Sequence, residues 1–292
     1  MLQRPVCVVI GLLAVLGSAS AQVQPATTPA PRASVARVYR TVDGAGLKTF
    51  VFAPAGRPDG KRSPGILLFH GGGWAAGDPE WVFPTAERFA SLGLVALPIQ
   101  YRLSGATTTP IDALADVCAA FQWARREAPA LGLDPDRLAA YGVSAGGHLA
   151  GLAATVGCGN KEGRYGIGGP DALVLLSPAL DVSGDGHFKR LLLDRAPVAA
   201  YSPLEHVRSG MPPVMIAHGE KDTLTPLRGV RAFCDKAIAG GGRCELHVYP
   251  GVGHLFTRNL ANQEDNFDPD PAARADAAAK QNAFLRALWL TP

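Results

Sequence analysis

The chain has 292 residues, of which 47% are hydrophobic and 18% charged, and its formal net charge at neutral pH is +3. That length suits one large domain. So weak a charge, with no cluster of Lys or Arg, argues against nucleic acid or an anionic surface as the main partner.

The first residues read as a targeting signal. Arg4 gives a positive start, Val6 to Leu16 is apolar, and Ala19-Ser20-Ala21 forms an A-x-A cleavage site before Gln22. The apolar run is shorter than the roughly 20 residues a membrane span requires. A lipoprotein anchor would need a Cys just after the run, and Cys7 lies inside it. Residues 1–21 are therefore expected to be a signal peptide, giving a secreted or periplasmic protein without stable membrane insertion. Removing Arg4 lowers the formal charge from +3 to +2. Residues 22–34, rich in Pro, Thr and Ala, read as a flexible linker, and residues 35–292 as the catalytic domain.

Val35–Val42 and Leu47–Ala53 alternate and are joined by Asp43-Gly44-Ala45-Gly46, which predicts an opening hairpin. Ile66–Phe69, Leu94–Ile99, Leu138–Tyr141, Leu173–Leu176, Val214–Ala217 and Glu245–Tyr249 are short, mostly apolar runs. Runs lacking a polar face fit a parallel sheet covered on both sides. Between most of them lies helical periodicity. Ile111–Glu127 spaces Leu114, Val117, Cys118, Phe121 and Ala124 on one face, and Leu227–Ala239 and Ala272–Leu290 look similar. Alternation of strand and helix predicts an open α/β sheet with right-handed crossovers, whose ligands sit at the carboxyl ends of the strands.

The chemistry-bearing residues follow those strand ends. Gly142-Val143-Ser144-Ala145-Gly146-Gly147 stands between the strand Leu138–Tyr141 and a small-residue helix, His148–Val156. A Ser on so sharp a turn needs small neighbours two residues away, and the turn lifts its hydroxyl out of the sheet. His70-Gly71-Gly72-Gly73-Trp74 follows Ile66–Phe69. Acyl transfer passes through an oxyanion that needs fixed N–H donors, and Gly72, Gly73 and Ala145 are the expected donors. The loop has neither GxGxxG nor the GK[ST] ending of a phosphate-binding loop. His70 is read as a brace for the loop. Asp222, in His218-Gly219-Glu220-Lys221-Asp222, and His254, in Gly251-Val252-Gly253-His254, follow the last two strands, Val214–Ala217 and Glu245–Tyr249. A serine alcohol needs a base, and the base needs an acid to fix its tautomer. Asp181 is a rival acid on the preceding strand end. His148, His187, His206, His218 and His247 read as surface or packing residues.

Together HGGGWxxGD at His70–Asp78, Tyr101-Arg102-Leu103, GVSAGGHLA at Gly142–Ala150, HGEKDTLTP at His218–Pro226 and GVGHLF at Gly251–Phe256 resemble the α/β-hydrolase esterases near hormone-sensitive lipase. The likeness is greatest to a bacterial acetyl-, xylan- and feruloyl-esterase-like group. It implies a mostly parallel central sheet flanked by helices, a small cap, and a Ser144/Asp222/His254 triad with the oxyanion donors named above. Val143 departs from the Asp or Glu those relatives carry before the nucleophile, and their long N-terminal cap is missing.

The expected function is serine carboxylic-ester hydrolysis through an acyl-enzyme, on short-acyl or polysaccharide-linked esters, with no cofactor or metal. An amidase (an arylformamidase, for instance) or peptidase could use the same apparatus. A silent binding protein on this fold would typically lack a triad member. Trp74 and Trp81, with Phe83, are candidates for a substrate-facing rim. Residues 181–210 stand where this fold inserts a lid, with Phe188, Leu191–Leu193 and Tyr201 either walling a pocket or packing as a surface helix. Export leaves Cys118, Cys158, Cys234 and Cys244, too few for a disulfide scaffold and without CxxC spacing for zinc. Cys234 on a helix and Cys244 at the next strand, separated by Gly240-Gly241-Gly242, are expected to pair.

Overall fold

The computed structural model describes residues 35–56, 61–159 and 168–290. The expected signal peptide and linker, residues 1–34, lie outside them.

Strands β1 (Val35–Val42) and β2 (Ala45–Val51) form the antiparallel hairpin. Asp43 and Gly44 between them have φ of 49° and 78°. Two successive positive φ values match the right-handed twist of the flanking strands, and Gly adopts one at no steric cost. The chain then runs through β3 (Ser63–Phe69), α1 (Phe83–Ser91), β4 (Val95–Pro98), α2 (Pro110–Arg126), the single turn α3 (Ala128–Leu131) and β5 (Leu133–Val143). It continues with α4 (Ala145–Thr155), β6 (Ala172–Leu176), α5 (Gly186–Leu191), β7 (Val214–Gly219), α6 (Leu227–Ala239), β8 (Cys244–Tyr249) and α7 (Pro271–Leu285).

Strands β3 to β8 form one six-stranded parallel sheet in the order β4-β3-β5-β6-β7-β8. Successive side chains enter different cores. Leu67 and Phe69 pack with Phe121 of α2, Leu149 of α4 and Phe233 of α6. Ile66 and Leu68 pack with Phe89 of α1 and Phe284 of α7. Coverage on both faces explains why β3, β4, β6, β7 and the second half of β5 are apolar runs, while the edge strand β8, with Glu245 and His247, is half-buried. The chain goes outward from β3 to β4 and returns to β5 on the other side of β3. This reversal opens a crevice at the carboxyl ends of β3 and β5, where ligands bind in such sheets.

The hairpin is fastened to this frame by charge. The wholly buried Asp116 carboxylate of α2 takes Arg40 of β1 at 2.7 Å and Arg102 at 2.8 Å. Two guanidinium groups on one carboxylate compensate its desolvation, and loss of either would leave a buried charge under-paired.

Helix α1 carries no signal in the expected elements, because Ala86, Phe89 and Ala90 alone mark its buried face. Phe83, read from sequence as part of the rim, instead packs edge-on against Phe50 and Phe52, each with ring centres 5.0 Å away. The expected last helix is shorter than Ala272–Leu290: α7 ends at Leu285 and widens into a π-type turn over Arg286–Leu290. Cys234 and Cys244 are bonded, with Cα atoms 5.4 Å apart. A second bond, Cys118–Cys158, joins α2 to the chain just beyond α4, with Cα atoms 5.0 Å apart. The sequence carried no signal for it, since its partners lie 40 residues apart and only the helix packing brings them together.

Candidate active site

Ser144 stands alone between β5 and α4 with φ 52° and ψ −116°. A residue with a Cβ rarely adopts such angles, which cost on the order of 1–3 kcal/mol unless the surroundings impose them. Here they do. Its N–H donates to Leu176 O at 3.0 Å, and its carbonyl accepts from His148 N at 3.0 Å. A Cβ on Gly142 would meet Gly146 O at 2.5 Å, and one on Gly146 would strike the carbonyls of Phe69 and His70. The motif is therefore side-chain-free at both places.

The Ser144 hydroxyl lies 3.0 Å from His254 Nε2, and His254 Nδ1 lies 2.8 Å from Asp222 Oδ2. With its Nδ1–H donated to the carboxylate, the neutral ring leaves Nε2 free to accept the serine proton. Asp222 also accepts from Thr225 N and Leu224 N, at 2.8 and 3.0 Å, and from the Thr225 hydroxyl at 2.8 Å. Burial opposes ionisation of Asp222, but the hydrogen bond and charge of His254, the charge of His218 and the Thr225 N–H outweigh it and hold the carboxyl below its usual range. The rival, Asp181, spends its Oδ1 on Ser183 N and Oγ, at 3.1 and 2.6 Å. Geometry therefore joins Asp222, not Asp181, to His254.

Gly72 has φ 110° and Gly73 φ 58°. A Cβ on Gly72 would collide with Ala76 O, so the tight turn closed by Ala76 N–H on Gly72 O requires glycine. Among the described residues, the Gly72 and Gly73 N–H groups donate to no backbone acceptor. Ala145 opens α4, where an N–H has no intrahelical partner. These N–H groups and the helix dipole give the serine's neighbourhood the character of an anion site. His70 braces this loop. It is buried, donates from Nδ1 to Gly71 O at 2.6 Å, and stacks at 4.3 Å on Tyr101, whose hydroxyl donates to His70 O at 2.8 Å.

Trp74 is not a rim residue. Only 4% exposed, it packs on Phe188 at 4.9 Å and donates its indole N–H to His148 Nδ1 at 3.1 Å. A buried indole needs an acceptor, and His148 supplies one while donating from Nε2 to Tyr201 O at 2.7 Å. Trp81, 62% exposed and 6.0 Å from the His70 ring, does stand at the surface. In the 181–210 segment, Phe188 and Leu192 pack into the core with Trp74, while Leu191 and Tyr201 are half-buried and Leu193 is exposed. His187 of α5 reaches Gly73 O at 3.1 Å, tying that segment to the glycine loop.

Three supporting residues had no part in the sequence reading. Thr225 was legible, because an Asp with Thr three residues on is a familiar side-chain-to-backbone turn. Ser177, whose Oγ accepts from Leu255 N at 3.2 Å, and Gln263, which accepts from His254 N at 2.8 Å, had no local signal. Among the described residues no His, Cys, Asp and Glu cluster suits a metal, and no helix is long and apolar enough to cross a membrane.

Comparison with known proteins agrees with this architecture. The chain is 31% identical over 196 residues to the probable carboxylic ester hydrolase LipM of Mycobacterium tuberculosis, covering 60% of this chain and 44% of that protein. It is 27% identical over 241 residues to an ethyl acetate hydrolase of Pseudomonas putida, covering 75% and 74% respectively. The chain spans about half the length of the first curated relatives it matches. Among solved structures, Thermogutta terrifontis esterase 2 with butyrate bound superimposes with a TM-score of 0.76 at 31% identity, over 88% of this chain and 95% of that one. A family model described as alpha/beta hydrolase fold matches residues 66–258. With its sheet order, serine turn and this match in agreement, the chain belongs to the alpha/beta hydrolase fold family.

Proposed function

We propose that the protein is a serine carboxylesterase with Ser144 as nucleophile, His254 as base and Asp222 as acid. The contact that carries this reading is the unbroken relay from Ser144 Oγ to His254 Nε2 at 3.0 Å and from His254 Nδ1 to Asp222 at 2.8 Å. Ser144 Oγ attacks the ester carbonyl as its proton passes to Nε2, and the N–H groups of Gly72, Gly73 and Ala145 hold the oxyanion. The C–O bond to the alcohol breaks as Nε2 returns the proton to the leaving oxygen. Water then attacks the acyl-enzyme by the same route and frees Ser144. The names of the relatives, carboxylic ester hydrolase, ethyl acetate hydrolase and esterase, favour an ester over an amide.

Short acyl groups are the finer part of the proposal. Solved forms of Thermogutta esterase 2 hold propionate or butyrate, and here the 181–210 segment is committed to packing on Trp74 and the glycine loop. A polysaccharide-linked ester, with Trp81 at the entrance, remains the proposed natural setting, and export of the mature chain goes with it. Ser144→Ala is expected to fold normally, lose a fluorophosphonate label and lose about 10⁴-fold or more in turnover. Label retained by the variant would remove Ser144 from the mechanism.

A further inference from the structure

The loop from Arg258 to Asp268 is exposed or half-buried at every position but one, Gln263. Asn259 and Asn262 fold it into a compact turn: Asn259 accepts from Asn262 N at 3.2 Å, and Asn262 accepts from Asp265 N at 3.0 Å. An ion pair, Arg258–Asp268 at 2.7 Å, closes its base. The turn delivers a single polar side chain, 5% exposed, into the space between the loops that carry Asp222 and His254. Burying a primary amide is costly unless its hydrogen bonds are made, and here they are. Gln263 Oε1 accepts from His254 N at 2.8 Å and from Thr223 N at 3.2 Å, while Nε2 donates to Lys221 O at 2.9 Å. A Cβ on Gly253 would run into this amide, so the residue before His254 is bare where the amide lies across it.

From this geometry we infer that Gln263 is a positioning residue that clasps the acid loop to the base loop and sets the alignment of His254 on Asp222. The inference rests on the esterase reading above. The two catalytic side chains come from different strand ends, and their 2.8 Å contact depends on how those two loops sit against each other. One amide holds the residues on both sides of Asp222, Lys221 and Thr223, and the backbone of His254 itself. Displacements of about 1 Å in such an arrangement cost on the order of 10²-fold in rate.

The test compares the parent with Gln263→Met and Gln263→Glu, which keep the side-chain length. The groups bearing on the imidazole are Asp222 and His218 from the β7 end, the hydroxyls of Ser144 and Thr225, and the Phe267 ring at 6.5 Å. None of these is altered by the substitutions. In Gln263→Met the clasp is lost at constant packing. kcat on p-nitrophenyl acetate is expected to fall about 10- to 100-fold with KM within about threefold. The acid limb of kcat/KM is expected to move to lower pH, because a loosened Asp222 supports the imidazolium less. In Gln263→Glu an added carboxylate beside the His254 backbone moves the same limb the other way, to higher pH. Loss of kcat in Gln263→Met that merely tracks the folded fraction seen by circular dichroism, or with an unmoved acid limb, would overturn the clasp. If the Met variant does not fold, the Glu variant decides by kcat: its carboxylate cannot donate to Lys221 O, so a folded Glu variant with the parent's kcat overturns the inference. A parent that neither hydrolyses the ester nor takes a fluorophosphonate label defeats the esterase reading as well. An active, labelled parent beside unaltered variants defeats the clasp alone.

Discussion

Two buried histidines outside the Ser144–His254–Asp222 relay should make this protein measurably less stable as the pH falls from 8 to 5. Burial pushes His148 down from 6.5 to about 4, only partly offset by its hydrogen bond to Tyr201. Burial likewise pushes His218 down to about 4, against the opposing pull of Asp222, 3.6 Å away. In the unfolded chain both rings take a proton near the ordinary value of about 6.5, whereas the folded protein keeps them neutral until about pH 4. The unfolded state therefore binds more protons throughout that window, and stability declines as pH drops through it. At pH 5 the cost is about 2 kcal/mol for each ring relative to pH 8, hence about 4 kcal/mol for the pair. Against a typical total of about 5–15 kcal/mol, that is a large fraction. His70, also lowered chiefly by burial, adds to the effect in the same direction. The depressed carboxyls of Asp222, Asp112 and Asp134 work at lower pH, because their stabilisation is lost only below their ordinary value of 3.8.

Urea unfolding at pH 8, 6.5 and 5 reads this directly. His148→Asn, whose amide oxygen offers Trp74 an acceptor but cannot titrate, should remove about half of the difference between pH 8 and pH 5. A parent curve that is flat across this range, or a variant with the full slope, would refute the reasoning. The site follows only at lower pH: near pH 4, where the folded His148 ring itself takes a proton, Nδ1 no longer accepts from the Trp74 indole that it holds at 3.1 Å next to Gly73.

Asp222→Asn is expected to cost up to about 10⁴-fold in kcat, since an amide can select the wrong imidazole tautomer. Asp181→Asn should cost little, and the reverse order would move the acid to the end of β6. Replacing Cys234 and Cys244 by serine should lower stability by roughly 2–3 kcal/mol, and replacing Cys118 and Cys158, which close a longer loop, by about 4 kcal/mol in the chain-entropy model. Intact mass before and after reduction checks both bonds, and an unchanged mass would contradict them. On p-nitrophenyl esters kcat/KM should peak between acetyl and butyryl, because an added CH₂ gains about 0.8 kcal/mol only where apolar surface covers it. Palmitoyl esters cleaved as well as acetyl esters would require the 181–210 segment to open into a true acyl groove.

The strands and the serine turn were legible because each is dictated locally. A doubly covered strand must be apolar throughout, so Ile66–Phe69 and Val214–Ala217 stand out. The turn at Ser144 must lack side chains at Gly142 and Gly146, so its spacing is written in the sequence. Helix α1 was not legible, because its short buried face of Ala86, Phe89 and Ala90 leaves little periodic contrast. Trp74 was misjudged for a related reason. An indole following a glycine loop has the same letters whether it faces solvent or core. What decides is His148, 74 residues away, which supplies the acceptor that makes burial affordable.

The same distinction divides the site itself. Ser144, Asp222 and His254 each follow a strand of the sheet, and the open end of a parallel sheet gathers whatever follows its strands. Sequence could therefore identify those residues without knowing any distance between them. What the sheet does not fix is the last ångström of their alignment. That falls to supporting groups: Thr225 on the Asp222 carboxylate, Ser177, just past β6, on the Leu255 N–H, and Gln263 across both loops. Their partners are mostly backbone N–H and C=O groups, which every residue possesses and no residue letter reveals. Residues that perform bond chemistry must be of particular types at particular strand ends. Residues that aim them need only a hydrogen-bonding tip at the right point in space, and only the folded chain specifies where that point is.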